Sequence, residues 1–146
     1  MNLFLRPGVL EETFDQLRVC GAARDECVTY WTGPQETPDL VDQVIQPAHQ
    51  AGPGSYEIDP AWITRFFLDL RSSKRTARAQ IHTHPRGASH SEVDDCFPLA
   101  PHPGFFSLVI PDYATGTVTL TGTHLVALNQ HGEWGVLDPS VALRES

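Results

Sequence analysis

"AQIHTHPRGASHSEVDDCF", residues 79–97, gathers three histidines and three acidic side chains into nineteen positions. Its opening reads as a strand that Pro85 ends, because proline has no N–H to give to a ladder. Side chains alternate between the two faces of a strand, so His82 and His84 project together while Thr83 projects the other way, and the two imidazoles are able to converge on one ion. The segment "RGA" after the proline lets the chain fold back. Ser91 stands three residues before Asp94, a spacing at which the serine caps a short helix and the aspartate occupies its favourable first turn, directed at the imidazoles. Two imidazoles and one carboxylate leave a fourth position for water, which is the layout of a catalytic zinc centre and not of a closed structural one. Zinc lowers the pKa of its water from ~16 towards ~7 and polarises a carbonyl oxygen. Hydrolysis needs a base in addition, and a donor near the developing oxyanion worth on the order of 3 kcal/mol. The competing reading leaves both histidines on a solvent-facing edge and Asp94 as a helix cap, and gives no reason for their occurring together.

The elements on either side set the fold class. Pro7 opens a first helix in which Val9, Leu10, Phe14 and Leu17 recur at helical spacing, and Gly21 stops it. "ECVTYWTG", residues 26–33, is short, β-branched and aromatic, and reads as a strand. "LVDQVIQPAH", residues 40–49, reads as another, closed by "QAGPGS". Asp59 is the expected N-cap of a second helix, with Pro60 at its first position and Trp62, Ile63, Phe66, Phe67 and Leu70 as its apolar face. Downstream, "FFSLVIP" is a near-continuous apolar run of the kind found in buried strands. "TVTLTG" and "HLVALNQHGEWGVLD" follow as final strands, the second breaking into a turn at Gly132. The order helix, strands, helix, strands predicts one α/β (α+β) layered domain over residues 1–146, with helices packed on a mixed sheet.

Composition narrows the function classes. A chain of 146 residues with 40% hydrophobic and 19% charged residues belongs with folded proteins that bury one core. A formal charge of -8 repels phosphate backbones, so no nucleic-acid partner is expected. "RSSKRTAR", Arg71 to Arg78, is the one basic stripe, read as a solvated helix end whose cations suit the C-terminal dipole. Cys20, Cys27 and Cys96 are odd in number and lack the spacing of a thiolate zinc site or a redox dithiol, which favours a reducing compartment. No apolar stretch approaches the ~18 residues that span a bilayer, and the first residues do not read as a signal peptide. A cytoplasmic protein with no membrane partner is expected. His90 is read as solvated, His49, His102, His124 and His131 as structural, Cys27 as facing the core, and the tryptophans as packing residues.

With "HTHP" at residues 82–85 and "SEVD" at 91–94, the chain resembles the JAMM (MPN, JAB) metallopeptidase family. That family's pattern joins an upstream glutamate to His-Ser/Thr-His-Pro and then Ser-x-x-Asp. The six residues from Pro85 to His90 are one fewer than the family's spacing. A loop shortened by one residue keeps Ser91 and Asp94 as a unit, whereas Asp95 would restore the distance from His84 but put Glu92 in the serine's place. Asp94 is therefore the expected third ligand, and Asp95 the alternative. The family's glutamate lies after the first helix at the start of a strand, where this chain has "DECVTYWTG". Glu26 is thus the implied general base, with Glu57 in "SYEID" as the runner-up. In element order the chain is similar to the small prokaryotic branch associated with ubiquitin-like conjugation or sulfur-carrier systems. The resemblance implies an MPN-like mixed, curled sheet flanked by helices. It implies Zn2+ on His82, His84 and Asp94, with Ser91 stabilising the oxyanion. The implied reaction is hydrolysis of the amide after the C-terminal glycine of a ubiquitin-like or sulfur-carrier protein, with activating or conjugating enzymes as associated partners.

Other chemistries share parts of this pattern. Two histidines and a carboxylate also make the facial triad of non-haem iron oxygenases, which has no use for a separate glutamate. Zinc deaminases need Pro-Cys-x-x-Cys ligands, absent here. Barrel amidohydrolases need ~250 residues. A metal-free MPN scaffold that only binds a partner is the remaining alternative, and such proteins usually lose ligands that this chain retains.

Overall fold

The computed structural model describes residues 1–53, 56–87 and 102–145. Strand β1 (Leu3–Leu5) leads into helix α1 (Val9–Gly21), then β2 (Val28–Pro34), β3 (Leu40–Val41), β4 (Gln43–Ile45), β5 (His49–Ala51) and β6 (Tyr56–Ile58). Helix α2 (Pro60–Ser72), β7 (Arg75–Thr83), β8 (Phe106–Ile110), β9 (His124–Leu128), β10 (Trp134–Leu137), the single-turn helix α3 (Pro139–Ala142) and β11 (Leu143–Glu145) complete the order. The mixed α+β class read from the sequence is the class observed. The main sheet has the strand order β10-β9-β8-β7-β2-β4. Only the β7–β8 pair in it is parallel. Strands β11, β1 and β3 form a small parallel sheet, and β5 and β6 a hairpin ladder. Among the described residues no helix is long and apolar enough to cross a membrane.

Each helix covers one face of the main sheet, and the two-residue alternation of β2 decides what it meets. Trp31, Ala79 and Ile81 lie in one apolar cluster with Phe14 and Leu17 of α1. The Trp31 indole N–H donates to Thr13 Oγ1 at 2.8 Å, so the polar edge of this buried ring is satisfied. Tyr30 turns the other way and joins Ile63, Phe66 and Leu70 of α2. Its ring stacks on Phe66 at 5.6 Å. Helix α2 begins as its sequence predicts: Asp59 accepts the Ala61 N–H at 3.0 Å and Pro60 occupies the first turn.

Three expectations are corrected. "TVTLTG" forms no strand; Val118 and Leu120 are instead packed against the core as irregular chain. The segment read as one strand over residues 40–49 is divided among β3, β4 and the first residue of β5. The basic stripe is not a solvated helix end throughout, because β7 starts at Arg75 and carries two of its cations. Arg75 pairs with Asp42. Arg78 is 7% exposed and donates to the carbonyls of Leu40, Thr37 and Pro34. Burial and neighbouring Arg75 pull its pKa below the ordinary guanidinium range, while Asp39 and Asp42 oppose that shift. The register steps at Arg78: Trp31 pairs with Ala79, but Thr32 pairs with Ala77. That one-residue bulge frees Arg78 to gather the β2–β3 connection.

Gly33 permits the same close approach, since a Cβ there would stand 1.9 Å from the Leu40 carbonyl oxygen. Gly33→Ala is expected to lower stability in urea unfolding by about 2 kcal/mol, against a change within about 0.5 kcal/mol for Gly135→Ala, whose Cβ would meet nothing within 4 Å. Equal midpoints for the two variants would contradict this packing.

Candidate active site

The imidazole pair sits at the end of β7, in the centre of the sheet, where Val28 pairs with His82. The ladder runs one residue further: Thr83 N–H donates to the Cys27 carbonyl at 3.1 Å, and Cys27 N–H donates to Thr83 Oγ1 at 2.9 Å. Glu26 precedes this pairing by one residue on the β2 side, and His84 follows it by one on the β7 side. His82 shares the α2 side of the sheet with Gln80 and Tyr30. Glu26 is 8% exposed and His82 1% exposed, while His84 is half-buried. The two imidazole centroids are 5.3 Å apart with ring planes inclined by 52°. Ser91, Asp94, the alternative Asp95 and His90 lie outside the described residues. Glu57, the alternative base, is exposed on β6.

Backbone contacts hold both carriers of these side chains. The Glu26 N–H donates to the Gly52 carbonyl at 2.7 Å, tying the base to the chain after β5. His84 N–H donates to Ile110 at the end of β8, and its carbonyl accepts the Tyr113 N–H at 2.9 Å. Asp112, Tyr113 and Ala114 all have positive φ, 56°, 54° and 60°, a left-handed turn that costs L-residues roughly 1–2 kcal/mol each. Its N–H groups bind the carbonyls of Arg86, His84 and Pro111, and Arg18 of α1 donates back to Ala114 O at 2.8 Å. The strained turn thus clamps the chain just beyond the second imidazole. Gly21 at the end of α1 is required here, because a Cβ would lie 2.1 Å from the Tyr113 carbonyl oxygen.

Sequence reading missed two neighbours of the pair. The Tyr56 ring lies 6.0 Å from the His82 ring, and the Gln80 side-chain amide donates to Tyr56 Oη at 2.9 Å. Tyr30 Oη donates to the other end of Gln80 at 3.3 Å. Burial pushes the Tyr30 hydroxyl above the ordinary phenol range and keeps it a neutral donor. Gln80 was legible: the alternation that pairs His82 with His84 places residue 80 on their face as well. Tyr56 comes from a different strand and carries no local signal.

Two neighbouring imidazoles, with ring centroids 5.3 Å apart, are borderline nitrogen ligands that suit a divalent metal of the zinc class.

No family model matches the chain. A probable metalloprotease of Sinorhizobium fredii is 29% identical over 133 residues, covering 88% of this chain and 82% of that protein. The solution structure of a Desulfitobacterium hafniense protein superposes with a TM-score of 0.65 at 19% identity, over 99% of this chain and 94% of the other. A JAB1/MPN domain protein of Archaeoglobus fulgidus gives 0.50 at 15% identity, over 94% and 96% of the two chains. A structure described as JAMM, a metalloprotease-like zinc site in the proteasome and signalosome, gives 0.51 at 15% identity, over 99% and 100%. The fold is that of the JAB1/MPN domains, and the resemblance first carried by "HTHP" extends along the chain.

The Thr83 hydroxyl joins the two strands that carry the site. Thr83→Val leaves the Cys27 N–H without this acceptor and is expected to cost roughly 1–3 kcal/mol, with about tenfold faster hydrogen exchange at that amide, whereas Thr83→Ser should retain most of both. Unchanged exchange in the valine variant would show that the bond holds nothing.

Proposed function

We infer that this chain, JAMM/MPN-like in fold and akin in sequence to a probable metalloprotease, is a zinc-dependent peptidase acting on the amide after the C-terminal glycine of a ubiquitin-like protein. What supports the reading is the buried His82 at the central strand end, 5.3 Å from the His84 ring, with the buried Glu26 two residues before the Val28 that pairs with His82. In this reading His82 and His84 hold the ion with Asp94, or with Asp95 in its place. Bound zinc supplies a Lewis acid that makes water acidic near neutral pH and polarises the scissile carbonyl. Glu26 takes the proton of the attacking water and gives it to the leaving amine, so one carboxylate serves as base and then as acid. Its low exposure keeps competing solvent away from that transfer. The hydroxyl of Ser91 stabilises the oxyanion. The Tyr56 ring packs 6.0 Å from the His82 ring, and the Gln80 amide holds the Tyr56 hydroxyl.

A flexible C-terminal tail is the substrate form that suits this placement, since an extended peptide can thread to a site at the end of a sheet and add to an edge as a strand. The partner would be a ubiquitin-like protein conjugated through that tail, or a sulfur carrier made with residues beyond its terminal glycine. Activating and conjugating enzymes are the associated proteins in the first case. The cytoplasm, where such systems operate, is the proposed location.

Incubating the protein with ubiquitin-like and sulfur-carrier fusions, each bearing a tag after the terminal glycine, tests the reading. Cleavage after glycine is expected in at least one series, lost with a chelator and restored by Zn2+. Glu26→Gln should slow it by about 10²–10⁴-fold while leaving zinc content unchanged, and His84→Ala should lower both. A Glu26→Gln protein that cleaves at the normal rate would overturn the assignment.

A further inference from the structure

On the α1 side of the sheet, three donors meet that this reaction does not use. Cys20 lies in the last turn of α1, Cys27 one residue before β2, and His49 at the start of β5. Their ligand atoms all fall within 4.8 Å of one another. The two sulfurs are joined as a disulfide, with Cα atoms 5.7 Å apart. The spacing of Cys20 and Cys27 reads as that of neither a zinc site nor a redox dithiol, yet their separation of seven residues is closed by the helix end and the strand start.

The groups around the pair are ones that could also serve a cation. His49 Nδ1 lies 2.8 Å from the Pro47 carbonyl oxygen, and a carbonyl only accepts, so Nδ1 carries the proton. In the neutral ring Nε2 is then the lone-pair nitrogen, and it faces both sulfurs, at 3.5 Å to Cys20 and 3.4 Å to Cys27. A backbone carbonyl that fixes the tautomer from behind is the usual support of a metal-binding histidine. Zn–S bonds of ~2.3 Å and Zn–N bonds of ~2.0–2.1 Å place two ligands of one tetrahedral ion roughly 3.5 Å apart, which is the separation seen from Nε2 to each sulfur. The Gln46 amide donates to Cys27 Sγ at 3.1 Å, a bond that a thiolate accepts better than a neutral sulfur. Cys27 is fully buried and Cys20 and His49 are half-buried, so one side of the cluster is open to an entering ion.

We propose that the reduced chain binds a soft or borderline divalent cation of the zinc class through Cys20 Sγ, Cys27 Sγ and His49 Nε2, a second metal site that the Cys20–Cys27 disulfide abolishes. A phosphine reductant and one water convert the disulfide to two thiols and a phosphine oxide. The cation then displaces one proton from each thiol as the sulfurs part to the ligand spacing. The site and the glutamate are neighbours in the chain, Cys27 next to Glu26, but the proposal does not depend on the peptidase reading.

Cobalt distinguishes this site from the imidazole pair, because only thiolate ligands give a near-ultraviolet sulfur-to-cobalt charge-transfer band. Metal-free protein reduced with a phosphine is titrated with Co2+ alone. The band is expected to rise to a plateau at one equivalent of thiolate-bound ion, to be displaced by Zn2+, and to be absent from the protein kept oxidised. Cys20→Ser should remove it, His49→Ala should weaken cobalt affinity at least tenfold, and Cys96→Ser should leave it intact. Circular dichroism of the reduced wild-type chain and of each variant controls for folding. A reduced, folded wild-type chain that gives no band at saturating Co2+ would overturn the proposal, as would a band that survives in Cys20→Ser or vanishes in Cys96→Ser.

Discussion

The pairing of Val28 with His82 is the constraint on which the rest of the molecule depends. A slip of one residue between β2 and β7 would turn Ile81 and Thr83 to the α2 side and send both imidazoles into the apolar cluster beneath α1. Several contacts oppose that slip. Thr83 and Cys27 exchange hydrogen bonds at one end of the ladder. At the other, the bulge at Arg78 fixes where the register steps, and its guanidinium holds three carbonyls of the β2–β3 connection. Trp31 is anchored to Thr13 and Tyr30 is stacked on α2, so each face of β2 is committed to its own helix.

The same alternation makes the start of β2 two-sided. Val28 goes to the face of His82, and Cys27 to the face of α1, where the second cysteine and His49 meet it. Strain is concentrated nearby, in the left-handed turn at residues 112–114. Its cost is offset by the bonds that it makes to His84, Arg86 and Arg18. A buried core on both sides of the sheet lets so short a segment hold polar side chains in fixed positions without solvent support.

What was legible in the sequence was local. The Asp59-Pro60 start of α2, the apolar stripe of α1, and the nearness of the His82 and His84 rings follow from capping and periodicity, and each is observed. What was not legible depended on distant partners. Arg75 and Arg78 read as solvated because Asp42 and the carbonyls that receive them lie more than thirty residues away in the chain. "TVTLTG" has the β-propensity of a strand, but its apolar side chains settle on the core without forming a ladder, a case of packing prevailing over propensity. Tyr56 and His49 acquire their meaning only when β5 and β6 fold against the starts of β2 and the end of β7. The ligand loop, with Ser91, Asp94 and Asp95, is the part of the reading that rests on sequence alone.

Anomalous diffraction at the zinc edge from crystals of the zinc-loaded protein tests the central claim most directly. The account predicts a peak bound by His82 and His84, a third ligand from Asp94 or Asp95, and the Glu26 carboxylate facing the open side of the ion. A zinc-loaded chain with no peak between the two imidazoles, or with Glu26 turned away from it, would contradict the account.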